Sequence, residues 1–159
     1  MSNAEAKNIL IIGIGNSGRG DDGLGWLMLD HLKKNFVKAD FLYRYQLQIE
    51  DAELLSHYST VIFIDATKEN TEKGFYFKLC QPNEGIGLTS HMLEPGTIVW
   101  LENELYKKNP TTFILGIEGE KWELSLEPSK TGMLNFSSAK AYLSKKIHLI
   151  LAHKDPCTA

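Results

Sequence analysis

The chain has 159 residues, 43% apolar and 23% charged, with a formal net charge of −3, a size most simply read as one domain with a sizeable core. A pI near 5.9 gives no electrostatic footprint for nucleic acid, and no apolar run reaches the length of a membrane span. Cys80 and Cys157 have neither metal-site spacing nor the look of a disulfide framework, so the expectation is a soluble protein of a reducing cytoplasm.

The polar leader, residues 1–7, and the tail, 153–159, are read as flexible termini around one domain spanning 8–152. The first element is Ile9 to Ile14, an apolar run with the signature of a strand buried on both faces. A glycine-rich turn follows, then Asp21 and Asp22, then Leu24, Leu27, Met28 and Leu32 at helical spacing. Gly13-x-Gly15-x-x-Gly18 fits a dinucleotide fingerprint literally. Two carboxylates at the helix entrance, however, would repel a diphosphate from the site that normally attracts it. The second strand, Phe41 to Tyr45, also offers no acid to hold a ribose, so a dinucleotide module is the weaker reading. The acid pair suits a cation better, although either aspartate alone could be a helix cap.

A short helix, 49–57, turns Ala52 and Leu55 inward. Val61-Ile62-Phe63-Ile64 then runs into Asp65, as a buried parallel strand does when it delivers a carboxylate to the upper edge of a sheet. An Asx turn started by Asp65 is the weaker alternative. Gly74 to Leu79 reads as a strand towards an edge. The loop 81–90 leads to His91, and Glu94-Pro95-Gly96 opens a helix with Ile98, Leu101 and Leu105 inward. Thr112 to Ile117 is a fifth strand. A long connection, 118–135, precedes a final helix, 136–151, with Ala139, Tyr142, Leu143 and Ile147 inward. The alternation predicts a three-layer α/β/α sandwich around a mostly parallel five-stranded sheet.

Asp22, Asp65 and His91 stand at comparable places, after or at the ends of strands. Three N/O donors with room for more make an open site for zinc or nickel and a poor one for soft thiolate chemistry. His31, His57, His148 and His153 lie on helices or in the tail and read as solvated or core-edge residues.

Gly13-Ile14-Gly15-Asn16, Arg19-Gly20-Asp21-Asp22-Gly23-x-Gly25, the strand-end Asp65 and Ser90-His91 before a helix together resemble the hydrogenase maturation proteases. The resemblance runs from Asn8 to the last helix. It implies an endopeptidase that removes the C-terminal extension of a [NiFe]-hydrogenase large-subunit precursor. It also implies that Asp22, Asp65 and His91 are the catalytic and metal-recognising residues. Nickel would be supplied by the substrate, zinc or cadmium could substitute, and no organic cofactor is involved. Asp21 would cap the helix or orient Asp22, with capping preferred. A non-cleaving, nickel-checking chaperone of the same fold is the alternative. Gln46-Leu47-Gln48-Ile49 stands where many members have a Gly-Gly-rich turn and, with Glu118 to Leu124, is similar to the branch serving soluble, bidirectional hydrogenases. Asp155-Pro156-Cys157 matches the start of the large subunits' C-terminal cysteine motif. A tail seated in a neighbour's cleft is the sharper reading of that match, and chance the preferred one.

Overall fold

The structure, a computed structural model, describes residues 7–85 and 92–157. Five strands form one sheet: β1 (Lys7–Ile14), β2 (Asp40–Arg44), β3 (Tyr58–Thr67), β4 (Phe75–Leu79) and β5 (Thr111–Glu118). Their order is β2-β1-β3-β5-β4, parallel throughout except for the antiparallel edge strand β4. Among the described residues four α-helices cover the faces: α1 (Leu24–Leu32), α2 (Asp51–Leu55), α3 (Pro95–Leu105) and α4 (Lys130–Leu151). The predicted α/β/α sandwich is the fold observed.

Strand alternation sorts the core into two layers. Ile9 and Ile11 of β1, Ile62 and Ile64 of β3 and Phe113, Leu115 and Ile117 of β5 face α1 and α4. Leu10, Ile12, Val61 and Phe63 face α2 and α3. The central strands are apolar on both sides because both sides are covered.

α1 lies close against the upper ends of β1 and β3, and glycine permits that approach. A Cβ on Gly25 would stand 2.7 Å from the Ile14 carbonyl oxygen and 2.8 Å from that of Ile64. A Cβ on Gly15 (φ +142°) would meet the Asp22 carbonyl oxygen at 1.9 Å. These glycines therefore serve the protein's own backbone packing.

Several expectations shift. α4 begins at Lys130, six residues before the predicted start, because Ser129 caps it by accepting from the Gly132 N–H at 2.9 Å. The connection before it shrinks to 119–129. Leu105 is 62% exposed, and the inward place at the end of α3 belongs to Glu102, fully buried. Its carboxylate accepts the N–H groups of Lys108 and Asn109 at 3.0 and 3.1 Å, satisfying the turn that leaves the helix. β3 runs two residues beyond Asp65, since Ala66 and Thr67 still pair with Ile117 and Glu118. β1 opens at Lys7, paired with Tyr58. In the tail, Lys146 Nζ donates to the Pro156 carbonyl, and residues 153–157 lie beside Asn8, Ser59 and Thr111 at the lower end of the sheet. The chain's own tail is thus at the opposite end from Asp22 and Asp65.

Candidate functional site

β1 is flanked by β2 on one side and β3 on the other, so the strand order reverses there. In an open α/β sheet the crevice above such a reversal is where ligands bind. Asp22 follows β1 and Asp65 stands near the top of β3, one on each side of that crevice.

Asp22 sits in a single 3-10 turn, Gly20–Gly23, that runs directly into α1. Its carbonyl accepts the Asn16 N–H at 3.1 Å, closing the glycine-rich loop. Its carboxyl is half-buried. Burial raises its pKa above the ordinary carboxylate value, although the Arg19 and Lys68 charges and the Asn16 N–H act the other way. Asp65, also half-buried, is pushed up to about 7 by burial and then by the negative charge of Asp22, with the Ala66 N–H opposing. Two desolvated carboxyls that each raise the cost of ionising the other are relieved by a shared proton or by a cation. That pair of oxygen donors fits a divalent cation.

Among the described residues no group of three His, Cys, Asp or Glu side chains gathers closely enough to hold a metal. The predicted third donor, His91, lies outside the described residues. Of the remaining histidines, His31 packs edge-on to Phe136 at 5.4 Å and His148 lies 4.8 Å from Phe36, both at the core's edge as expected.

Asp21 does something other than capping α1. Fully buried, it reaches across to the 119–129 connection and the start of α4. It accepts the N–H groups of Glu120 (2.8 Å), Lys121 (3.1 Å) and Ser129 (2.7 Å), and the Ser129 hydroxyl at 2.6 Å. Burial pushes this carboxyl up, but the four hydrogen bonds outweigh it and hold the group below the ordinary carboxylate value. Gly119 and Gly132 make room, since a Cβ on either would stand within 2.6 Å of an Asp21 side-chain atom. The backbone continues the lacing: Asp21 N–H donates to the Lys121 carbonyl at 2.8 Å, and Gly20 N–H to that of Ser125 at 2.9 Å. Asp21 is therefore the anchor of the turn that presents Asp22.

A cleft of about 500 Å³ opens from Asp65 across β4 to the start of α3. Tyr76, Lys78, Cys80, Asn83 and Glu94 are among the residues that line it. Burial pushes the Cys80 thiol up to about 11, so the cleft holds no thiolate nucleophile. Tyr76 and Lys78 did not figure among the predicted site residues. The available signal was Gly116, an isolated glycine inside a strand pattern, which marks a close approach.

Against solved structures, the chain is similar over nearly its whole length to several hydrogenase maturation proteases. A [NiFe] hydrogenase maturation protease, HycI from Thermococcus kodakarensis, aligns with a TM-score of 0.68 and 24% identity over 92% of this chain and 93% of its own. The chain has the hydrogenase maturation protease fold. A hydrogenase 2 maturation peptidase from a Thaumarchaeota archaeon aligns at 0.62 with 20% identity, covering 90% and 99% of the two chains. The hydrogenase maturating endopeptidase HybD from E. coli aligns at 0.62 with 17% identity, covering 91% and 93%. No family model and no curated protein matches the sequence. Among the described residues of this maturation protease fold, no helix is long and apolar enough to cross a membrane.

Proposed function

We propose that this chain is an endopeptidase that removes the C-terminal extension of a nickel-loaded [NiFe]-hydrogenase large-subunit precursor. The observation that carries the reading is the pair of electrostatically coupled carboxyls, Asp22 and Asp65, on either side of the crevice above β1 and β3. The maturation proteases and peptidases that share the fold support it. In this reading Asp22, Asp65 and His91 engage nickel that arrives already bound in the substrate, with zinc or cadmium able to stand in for it. Two carboxylates and an imidazole leave coordination positions for the partner to fill. The extension lies in the cleft that opens from Asp65, where the ion's charge polarises the peptide carbonyl. Water attacks the carbonyl carbon, the C–N bond breaks, and the leaving amine takes up a proton.

The test is cleavage of a purified nickel-loaded precursor, followed by intact mass. Wild-type protein releases the extension. Asp22→Asn removes half of the carboxylate pair and leaves the precursor whole. A precursor that stays full length with wild-type protein, yet binds it, would establish the non-cleaving chaperone instead.

A further inference from the structure

The register of β3, β5 and β4 places three residues in one row across the sheet: Asp65 pairs with Gly116, and Gly116 pairs with Tyr76. Directly paired residues project from the same face. For this row it is the face covered by α2 and α3, because Phe63 and Ile114, two residues earlier on β3 and β5, pack into that layer. Gly116 contributes no side chain, and the Tyr76 ring fills its place. A Cβ on Gly116 would stand 2.3 Å from Tyr76 Cζ, 2.4 Å from Cε1 and 2.7 Å from Oη. The ring therefore leans over β5 towards β3, which brings its hydroxyl about one strand spacing, ~4.8 Å, from the strand that carries Asp65.

Two further observations fix what the hydroxyl can do. Tyr76 and Asp65 line the same cleft, and among the described residues the Tyr76 hydroxyl has no hydrogen-bond partner, so its donor is open to whatever fills that cleft. Lys78 Nζ lies 4.6 Å from the centre of the Tyr76 ring, a cation–π contact that steadies the ring in this pose. A preorganised neutral donor beside the carboxyl that grips the ion stands where negative charge develops on a peptide oxygen under attack.

We propose that Tyr76 is a further catalytic residue, its phenol donating a hydrogen bond to the carbonyl oxygen of the peptide bond being cut. The assignment rests on the endopeptidase reading above. No proton leaves the phenol: the bond strengthens as the carbonyl oxygen gains charge and relaxes when the C–N bond has broken. Gly116 is the residue that allows the ring to take this pose.

The experiment compares wild-type protein, Tyr76→Phe, Gly116→Ala and the double variant on the nickel-loaded precursor, with Cd²⁺ affinity measured in parallel by calorimetry. Tyr76→Phe keeps the ring and its packing and loses only the donor. Its kcat is expected to fall about 10- to 100-fold, with KM and Cd²⁺ affinity within about twofold of wild type. Gly116→Ala displaces the ring and is expected to lose a similar factor, and the double variant to lose no more than the worse single one. A Tyr76→Phe protein with unchanged kcat, or with its whole loss in KM, overturns the assignment whether or not the Gly116 variant folds. A wild-type protein that leaves the precursor whole refutes the endopeptidase reading itself, and the Tyr76 assignment with it.

Discussion

Asp21 offers the sharpest test of how the site is held. Its carboxylate has no exposure to solvent and accepts four hydrogen bonds, three from backbone N–H groups and one from a hydroxyl. Hydrogen bonds to a charged group contribute roughly 1.5–3 kcal/mol each when measured singly, but four that share one carboxylate do not add. Leaving a buried donor unsatisfied costs about 1–3 kcal/mol, and with several donors losing their acceptor at once the expected loss for Asp21→Ala is about 3–5 kcal/mol. At about 2–4 °C per kcal/mol for a chain of this size, Tm falls by roughly 6–20 °C. Asp21→Asn keeps the volume but turns an amide donor towards donors, and is expected to cost about 2–3 kcal/mol. The pH dependence follows from the depressed carboxyl. Its contribution is present above the ordinary carboxylate value of 3.8 and is lost as pH falls through the lower folded value, so the gap between wild type and Asp21→Ala narrows in acid. Urea unfolding at pH 7 and at pH 3 measures both effects. Amide exchange at Glu120, Lys121 and Ser129 tests the local origin, since those protons should lose protection first. A loss of no more than about 0.5 kcal/mol for Asp21→Ala at pH 7, as for an ordinary surface change, would refute the anchoring role.

Asp65 should behave in the opposite sense. Its folded carboxyl titrates near 7 against 3.8 in the unfolded chain, so the native state binds the extra proton and stability falls as pH rises from about 4 to 7. Asp65→Asn should flatten that fall, raise stability at pH 8 by about 1–3 kcal/mol and abolish Cd²⁺ binding, as read by urea titrations and calorimetry. Asp51, buried, accepts from Arg44 Nη2 at 3.0 Å and from the Gln48 N–H at 2.8 Å. Asp51→Ala removes the acceptor of the partly exposed Arg44 guanidinium and of the Gln48 N–H, and should cost about 1–3 kcal/mol in urea unfolding. Gly25→Ala drives a methyl against two strand carbonyls and should cost about 1–3 kcal/mol, with weaker Cd²⁺ binding because α1 carries the Asp22 turn.

The sheet and its helices were legible because local pattern and tertiary role agree. Ile9 to Ile14 and Val61 to Ile64 are apolar on both faces since both faces are covered, and Leu24, Met28 and Leu32 sit inward as their spacing requires. The two acids of the crevice were legible for a similar reason, since each stands at or near the end of an obvious strand. Asp21 was misread because its partners lie about 100 residues away, beyond any local signal, and a carboxylate at a helix entrance looks like a cap. The start of α4 was missed because Gly132 and the polar residues beside it hide a helix whose first turn depends on Ser129. Tyr76 was invisible because its neighbour across the sheet becomes known only once the register is known.

The hydrogen bonds between Asp21 and Ser129 span 108 residues of chain. Contacts of such separation close late, after the strands and nearer helices have already lowered the entropic cost of the loop between them. The turn that carries Asp22 is therefore completed from the far end of the chain, by the 119–129 connection and the cap of α4. A chain truncated before residue 119 would keep every residue of the glycine-rich motif and lose all four hydrogen bonds that anchor its turn.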